Sequence, residues 1–283
     1  MSAFGGASVR EALDSAVIAI AAAGSDTPRL DAEVLLADAL GVDRTALFID
    51  PAREVKGAAV RAFQDAVRRR SAGREPVAYI TGRRGFRHLE LEVDARVLVP
   101  RPETELLVEI GVELLPQGAR VVDVGTGSGA VALALAHERP DLEVFATDSS
   151  AEALDVARAN AVRLGLDGAV TFHEGDLLAG VGPVDAVLSN PPYVAERERA
   201  ALAPEITRHE PPDALFAGED GLDVIRRLVP AAAAAAAGAR LLAIELGEGQ
   251  SDAVAQLMHR AGFVAVHGRR DLAGIERVVV GTR

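Results

Sequence analysis

Apolar positions in the first 75 residues recur at helical spacing, whereas from about residue 120 they gather into short runs separated by helical stretches. Val9, Leu13, Ala16, Val17 and Ile20 share one helical face, opened by the capping-box pair Ser8 and Glu11 and closed by Gly24. A second helix is predicted from Thr27-Pro28, with Leu30, Val34, Leu35 and Leu40 on its buried face and Gly41 just past its end. A third spans about 55 to 72, so residues 1–75 form a small helical bundle.

Between 76 and 100 the pattern shortens. ITG, GFRHLELEV and ARVLV are β-branched or alternating runs divided by Gly82, Gly85 and Asp94, which predicts a β-hairpin linking two domains. Over 101–283, strand and helix alternate: 120–124, 129–138, 143–148, 151–164, 170–174, 184–189 and 240–246. Such alternation makes an α/β, doubly wound parallel sheet of Rossmann-like type. PAAAAAAAG, at 230–238, reads as a packed helix end, with alanine as helix former and Gly238 as the stop. No repeat with a period of 20 to 50 residues is visible.

Composition narrows the chemistry. The chain has 283 residues, 49% of them hydrophobic, and no cysteine, which excludes disulfides and thiolate metal sites. Thirty basic against 42 acidic side chains give net charge −12. Residues 1–75 hold 10 basic and 11 acidic of these, leaving 20 and 31, net −11, for 76–283. That field repels phosphate backbones. MSAFGGASVREALDS lacks a charged start followed by an apolar core, and no run of 18 apolar residues occurs, so a cytoplasmic protein is expected. All basic residues but Lys56 are arginine, a skew attributable to genome composition.

Val121-Val122-Asp123-Val124-Gly125-Thr126-Gly127-Ser128-Gly129 runs from a strand through a glycine-rich turn into a helix. Glycines let backbone approach a ligand, and the helix start offers free N–H groups. Asp148 closes the next strand, where a carboxylate can accept both ribose hydroxyls of an adenosine. Gly125, Gly127 and Ala130 also satisfy the relaxed dinucleotide pattern, so the loop alone leaves a nicotinamide cofactor open. Asp123 weighs the other way, because its charge opposes a pyrophosphate and suits a cation such as S-adenosylmethionine. A strand-end aspartate by itself is as readily a helix cap.

Asn190-Pro191-Pro192-Tyr193 ends the strand at 184–189, on the sheet edge where open α/β folds place ligands. Consecutive prolines fix φ and remove two donors, leaving a rigid set of acceptors. The Asn190 side-chain oxygen and Pro191 carbonyl suit both hydrogens of a planar NH2 group, with Tyr193 stacked on its face. Amide and aromatic-amine nitrogens are weak nucleophiles, so positioning in line with a methyl–sulfonium bond carries the barrier reduction, roughly 7 to 11 kcal/mol, without a dedicated base. The bland alternative is a loop that merely breaks a strand.

The glycine loop, Asp148 and Asn190-Pro191-Pro192-Tyr193 together resemble the class I S-adenosylmethionine-dependent methyltransferases that modify planar nitrogens. EPVAYITGRRGF at 75–86, VLVPRPETE at 97–105, EPPDALFAGEDGL at 210–222 and DLAGIERVVVG narrow this to the release factor glutamine methyltransferase family, HemK or PrmC type, along nearly the whole chain. The resemblance implies methylation of N5 of the glutamine in the Gly-Gly-Gln loop of class 1 peptide release factors, with S-adenosylhomocysteine as product. It implies release-factor docking by the helical domain. Asp123, Val124, Gly125, Thr126, Gly127, Asp148, Asp176, Leu177 and Asn190 would line the cofactor site, and Asn190, Pro191, Pro192 and Tyr193 would hold the glutamine amide. Some members carry an aromatic after the second acid, where this chain has Leu177. Arg101 and Glu103 would face the substrate entrance; their residue types also fit a plain helix start with Pro102 at its first position.

Six histidines fall at no ligand-like spacing, so no metal is expected. Arg68-Arg69-Arg70 reads as a solvated helix face or a contact for an acidic partner. A ribosomal-protein glutamine methyltransferase shares the core motifs and stays open. An adenine-N6 methyltransferase acting on DNA or RNA offers the same planar amine, but the net −11 of 76–283 argues against direct nucleic-acid binding. A nicotinamide oxidoreductase and a non-catalytic S-adenosylmethionine sensor are weakened by the intact Asn-Pro-Pro-Tyr sequence.

Overall fold

The computed structural model describes residues 6–235 and 240–283 and resolves into two compact units, 1–82 with 203–209, and 83–202 with 210–283.

The first unit is helical: α1 (Val9–Ala22), α2 (Pro28–Leu40), α3 (Ala46–Ile49), α4 (Ala58–Ser71) and α5 (Val77–Thr81). The Ser8 hydroxyl accepts from Glu11 N–H while the Glu11 carboxylate accepts from Ser8 N–H at 2.8 Å, closing the expected capping box. Pro28 opens α2, and Gly41, in the left-handed region at φ 63°, ends it. Val9, Leu13, Ile20, Leu35, Leu36, Leu47 and Phe63 form the core. The buried face of α2 departs from expectation: Leu30 is exposed, while Asp31 and Glu33 are buried. Charge pairing explains the rotation, since Asp31 accepts from Arg70 Nε at 2.6 Å and Glu33 from Arg29 Nε at 2.6 Å.

Arg68-Arg69-Arg70 is divided, with Arg68 solvated, Arg69 half-buried and Arg70 buried. Arg68 pairs with Asp65, Arg69 with Glu75 and buried Arg70 with Asp31 and Glu205. Glu205 sits on a six-residue helix, Pro204–His209, which belongs to this unit although the chain reaches it only after the Asn-Pro-Pro-Tyr sequence. Arg74 also donates to Glu205, at 2.7 Å.

The second unit begins with an antiparallel hairpin, β1 (Arg83–Phe86) and β2 (Leu89–Glu92). Of the run expected to form β structure over 76–100, residues 77–81 are helix α5 and ARVLV forms no strand. Asn160, fully buried, ties β2 to the sheet unit by donating to Glu92 O at 2.9 Å and accepting from Glu92 N at 2.7 Å. Beyond it come α6 (Glu105–Leu114), β3 (Arg120–Val124), α7 (Ala130–Glu138), β4 (Glu143–Asp148), α8 (Ala151–Leu164), β5 (Val170–Glu174) and β6 (Ala186–Ser189). After the Pro204–His209 helix, α9, follow α10 (Asp223–Ala235), β7 (Leu241–Glu245), α11 (Ser251–Arg260), β8 (Ala265–Arg270) and β9 (Glu276–Thr282). Pro230 lies inside α10; residues 236–238, including the Gly238 stop, fall outside the described residues.

The described residues of this unit form a seven-stranded sheet ordered β5-β4-β3-β6-β7-β9-β8. The first five strands in that order are parallel, and β9 runs antiparallel to both neighbours, so the sheet is mixed at one edge. Strand residues alternate between two apolar layers: Val121, Val144 and Leu188 pack with α6 and α7, Val122, Val187 and Ile244 with α10 and α11. Both faces are thus covered, the doubly wound arrangement expected from the alternation of strand and helix. From β3 the chain steps outward to β4 and β5, then returns to the other side of β3 as β6. This reversal opens a crevice at the carboxyl ends of β3 and β6.

Candidate functional site

A cavity of about 570 Å³ occupies that crevice. It is within the size range of small-molecule sites. One wall is the turn after β3. Gly125 and Gly127 sit at φ 74° and 55°, left-handed values that favour glycine, and the Gly125 and Thr126 N–H groups both donate to Thr147 O at 2.9 Å. A Cβ at Gly127 would meet no atom within 4 Å, so any side chain there would enter open space at the cavity wall. Asp148, ending β4, accepts from Gly127 N–H and Ser150 N–H, both at 2.9 Å. It therefore caps as well as lines the cavity, and each oxygen keeps a lone pair for a further donor.

Asp123 turns inward. One of its oxygens accepts from the Thr126 hydroxyl at 2.7 Å and from Ala132 N–H at 3.2 Å. Burial pushes its carboxyl up to about 7, against those two bonds, and the charge of Asp148 adds to the rise. Asp176 is exposed and paired with Arg227. Leu177, an unusual left-handed residue at φ 53°, has its carbonyl held by the Thr147 hydroxyl at 2.7 Å. Both line the cavity, as do Val124 and Thr126.

The opposite wall is Asn190, Pro191 and Pro192. The two motifs are bonded to each other, because the Ser189 hydroxyl donates to Val124 O at 2.7 Å across the β3–β6 pair. Asn190 Nδ2 donates to the Thr104 hydroxyl at 3.0 Å, and among the described residues no donor meets its Oδ1. Tyr193 does not line the cavity; its ring packs against the β6–β7 layer and its hydroxyl donates to Glu245 at 3.3 Å. Burial and the Glu245 charge push the Tyr193 phenol well above its usual range. Arg101 and Glu103 also lie off the cavity, which takes Pro100 and Thr104 from either side of them; Arg101 is held by the buried Glu210 at 2.6 Å.

Four residues were not singled out from sequence. Thr104 and Glu245 contact Asn190 and Tyr193 from 86 and 52 positions away. Gln250 Nε2 donates to Tyr193 O at 3.0 Å, and Gly221, at φ 78°, packs so closely that a Cβ would lie 2.2 Å from the same carbonyl. For Glu245 a signal existed: an acid closes the otherwise apolar strand LLAIE at the ligand-bearing edge. Among the described residues no cluster of potential metal ligands occurs, and no helix is long and apolar enough to cross a membrane.

Two family models match the chain: the PrmC N-terminal domain over residues 11–82 and the methyltransferase small domain over 102–220. A protein of Deinococcus radiodurans named release factor glutamine methyltransferase is 44% identical over 97% of this chain and 98% of its own. A protein of Burkholderia pseudomallei with the same name is 46% identical over 89% of this chain and 91% of its own. Among solved structures, the hMettl16 catalytic domain in complex with a MAT2A 3'UTR hairpin matches with TM-score 0.55 at 16% identity, over 80% of this chain and 81% of that one. A methyltransferase from Pyrococcus furiosus matches with TM-score 0.51 at 18% identity, over 69% and 88%. At those identities the structural matches speak for the fold alone.

Proposed function

Because this chain belongs to the release factor glutamine methyltransferase family, at 44% identity across nearly its whole length, we propose that it methylates N5 of the glutamine in the Gly-Gly-Gln loop of class 1 peptide release factors. The observation that carries the reading is the unmet Asn190 Oδ1 beside two prolines, one hydrogen bond away from the glycine wall of the cavity. An acceptor pair on a rigid turn suits an NH2 group.

The donor in this reading is S-adenosyl-L-methionine. The cavity's chemistry fits it: a glycine turn with no side chain to obstruct close approach, a strand-end carboxylate with free lone pairs, and the apolar Leu177 for an adenine face. Asp148 would hold the ribose hydroxyls, the backbone from Val124 to Gly127 the amino-acid end with Asp123 behind it, and Asp176 with Leu177 the base. The cofactor supplies an electrophilic methyl group and departs as S-adenosylhomocysteine.

This chain's residues act on the other reactant. Asn190 Oδ1 and the Pro191 carbonyl accept the two amide hydrogens and aim the nitrogen lone pair at the methyl group, while Tyr193, off the cavity, anchors the turn through its ring packing and its hydroxyl bond. As the new N–C bond forms, positive charge grows on nitrogen, and both acceptors stabilise it more than they stabilise the neutral amide. One proton then leaves the nitrogen to solvent. Arg101 and Glu103 stand outside the cavity as contacts for the loop's flanks. The helical unit, with Ile18, Phe48 and Ile49 exposed, is the docking surface for the factor in this reading. The setting is the cytoplasm.

The test is incubation with S-adenosylmethionine and unmethylated release factor, followed by mass spectrometry of the Gly-Gly-Gln peptide. One methyl on the glutamine side chain is expected. A cofactor-binding protein that leaves this peptide unmodified and methylates ribosomal protein or adenine would overturn the substrate assignment.

A further inference from the structure

Glu245 is the end of β7, 1% exposed, and none of the steps above uses it. Its Oε1 accepts from the Tyr193 hydroxyl at 3.3 Å; its Oε2 is buried with no partner in hydrogen-bonding geometry. Such orphaned carboxylate oxygens are rare and costly, so one at a site edge calls for a role. The Thr104 hydroxyl stands beside this carboxylate and favours its charged form. The same hydroxyl oxygen accepts from Asn190 Nδ2 at 3.0 Å.

One proton order satisfies the orphaned oxygen together with the two observed bonds. A carboxylate accepts and never donates, so the Tyr193 hydroxyl proton points to Glu245 Oε1, and the Thr104 hydroxyl is the neighbouring donor that can turn its proton to the unpartnered Oε2. With its single proton committed, Thr104 can only accept from Asn190, and the Asn190 side chain must offer it NH2. That leaves Oδ1, the acceptor, at the other end of the amide. With Glu245 neutral, Thr104 is free to rotate and donate to Asn190, and the amide turns over. Two N–H groups would then face the substrate's own N–H groups.

We propose that Glu245 is a positioning residue which, through the Thr104 hydroxyl, fixes Asn190 with its oxygen toward the substrate amide, and through the Tyr193 hydroxyl fixes the neighbouring ring. This rests on the amide-holding role of Asn190 given above. The other ionisable groups acting on Glu245 are Glu103, which opposes its charge, and Arg277, which favours it.

Single-turnover methylation of release factor by the full-length protein, at saturating substrate, tests it with four variants. Glu245→Gln and Thr104→Val should each lower kcat roughly ten- to hundredfold, as loss of alignment does, with S-adenosylmethionine affinity by calorimetry unchanged. Thr104→Ser, which keeps the hydroxyl, should restore wild-type kcat; a packing role alone would leave it impaired for its missing methyl. Burial raises the Glu245 carboxyl to about 7, so wild-type kcat should fall with one-proton dependence below about pH 7, and the Thr104→Val rate should lack that limb. Asn190→Ala separates the two readings. If it abolishes transfer while Glu245→Gln and Thr104→Val retain wild-type kcat, the relay is wrong and the amide-holding site stands; if Asn190→Ala itself retains activity, the site reading fails first. Should Glu245→Gln not fold, Thr104→Val and Thr104→Ser decide alone.

Discussion

The Arg70 cluster of the helical unit and the ends of β3 and β7 in the sheet unit bury acidic side chains in opposite ways, although the sheet unit also holds a buried arginine-paired acid, Glu210 with Arg101. In the helical unit Asp31 and Glu205 are both met by Arg70, Glu205 also by Arg74, and every partner is at most 15% exposed. In the sheet unit Asp123 and Glu245 are at most 2% exposed, and among the described residues neither has a cation within salt-bridge distance. They are met by hydroxyls and backbone N–H groups instead. The contrast shows in their acidity. At Glu205 burial pushes upward, but Arg74 and Arg70 outweigh it and the carboxyl lies below the usual range, whereas Asp123 and Glu245 rise to about 7. A buried charge that holds a fold together is neutralised by its neighbours. One left with a raised proton affinity at the carboxyl edge of the sheet is a candidate for a functional role.

The largest effect should come from breaking the paired side. Arg70→Ala strands Asp31 and Glu205 in the interior, and denaturant unfolding of the helical unit should show a loss of about 3 to 5 kcal/mol. S-adenosylmethionine affinity of the sheet unit should not move; a parallel loss there would erase the distinction between the units. Next is Asn190→Ala, for which turnover should drop by about a hundredfold or more, on the order of 3 kcal/mol, with cofactor binding intact. Comparable turnover would remove the acceptor from the reaction. Asp148→Ala should cost about 1 to 3 kcal/mol of S-adenosylmethionine affinity by calorimetry, and an unchanged Kd would assign Asp148 to capping alone.

The smallest effect, and the sharpest for the comparison, is in the pH dependence of stability. Asp123 and Glu245 have folded values above their unfolded ones, so their stabilising contribution is full below about pH 4 and is lost as pH rises through about 7. Glu205 has the opposite sign: its contribution is present above its unfolded value and lost as pH falls through its lowered folded one. Glu245→Gln should accordingly gain stability relative to wild type as pH is raised from 5 to 8. A difference that stays flat over that range would show that Glu245 is ionised at an ordinary value.

Much of this organisation is written in local signals. The Ser8–Glu11 box, Pro28, Gly41 and the glycine turn after β3 act within a few residues of themselves, and patterning exposes them directly. The relaxed dinucleotide pattern shared by the glycine turn could not choose its cofactor, because it constrains only the backbone; family membership does. What patterning missed is long-range pairing. Patterning puts Leu30 inside and does not find buried Asp31, because the partner of Asp31 is 39 residues away on α4. Sequence leaves Arg70 open between solvent and an acidic partner because that partner, Glu205, lies 135 residues further along the chain. Residues 95–99 look like a strand by composition, yet no neighbouring strand pairs with them, and ladder bonds rather than β-branching make a strand. At the candidate site the same division holds: Asn190 and its prolines stand out by type, while Thr104 and Glu245 are ordinary residues whose meaning comes from where the fold brings them.

The claim that most needs a direct measurement is that this edge of the sheet offers acceptors to a side-chain NH2 group. Calorimetric titration of the protein saturated with S-adenosylhomocysteine, using full-length release factor with either Gly-Gly-Gln or Gly-Gly-Glu in the loop, measures it without any turnover. A carboxylate brings no hydrogens and sets its charge against two oxygen acceptors, so the glutamate form should bind at least about tenfold more weakly. Equal affinity for the two loops would contradict the amide-holding site.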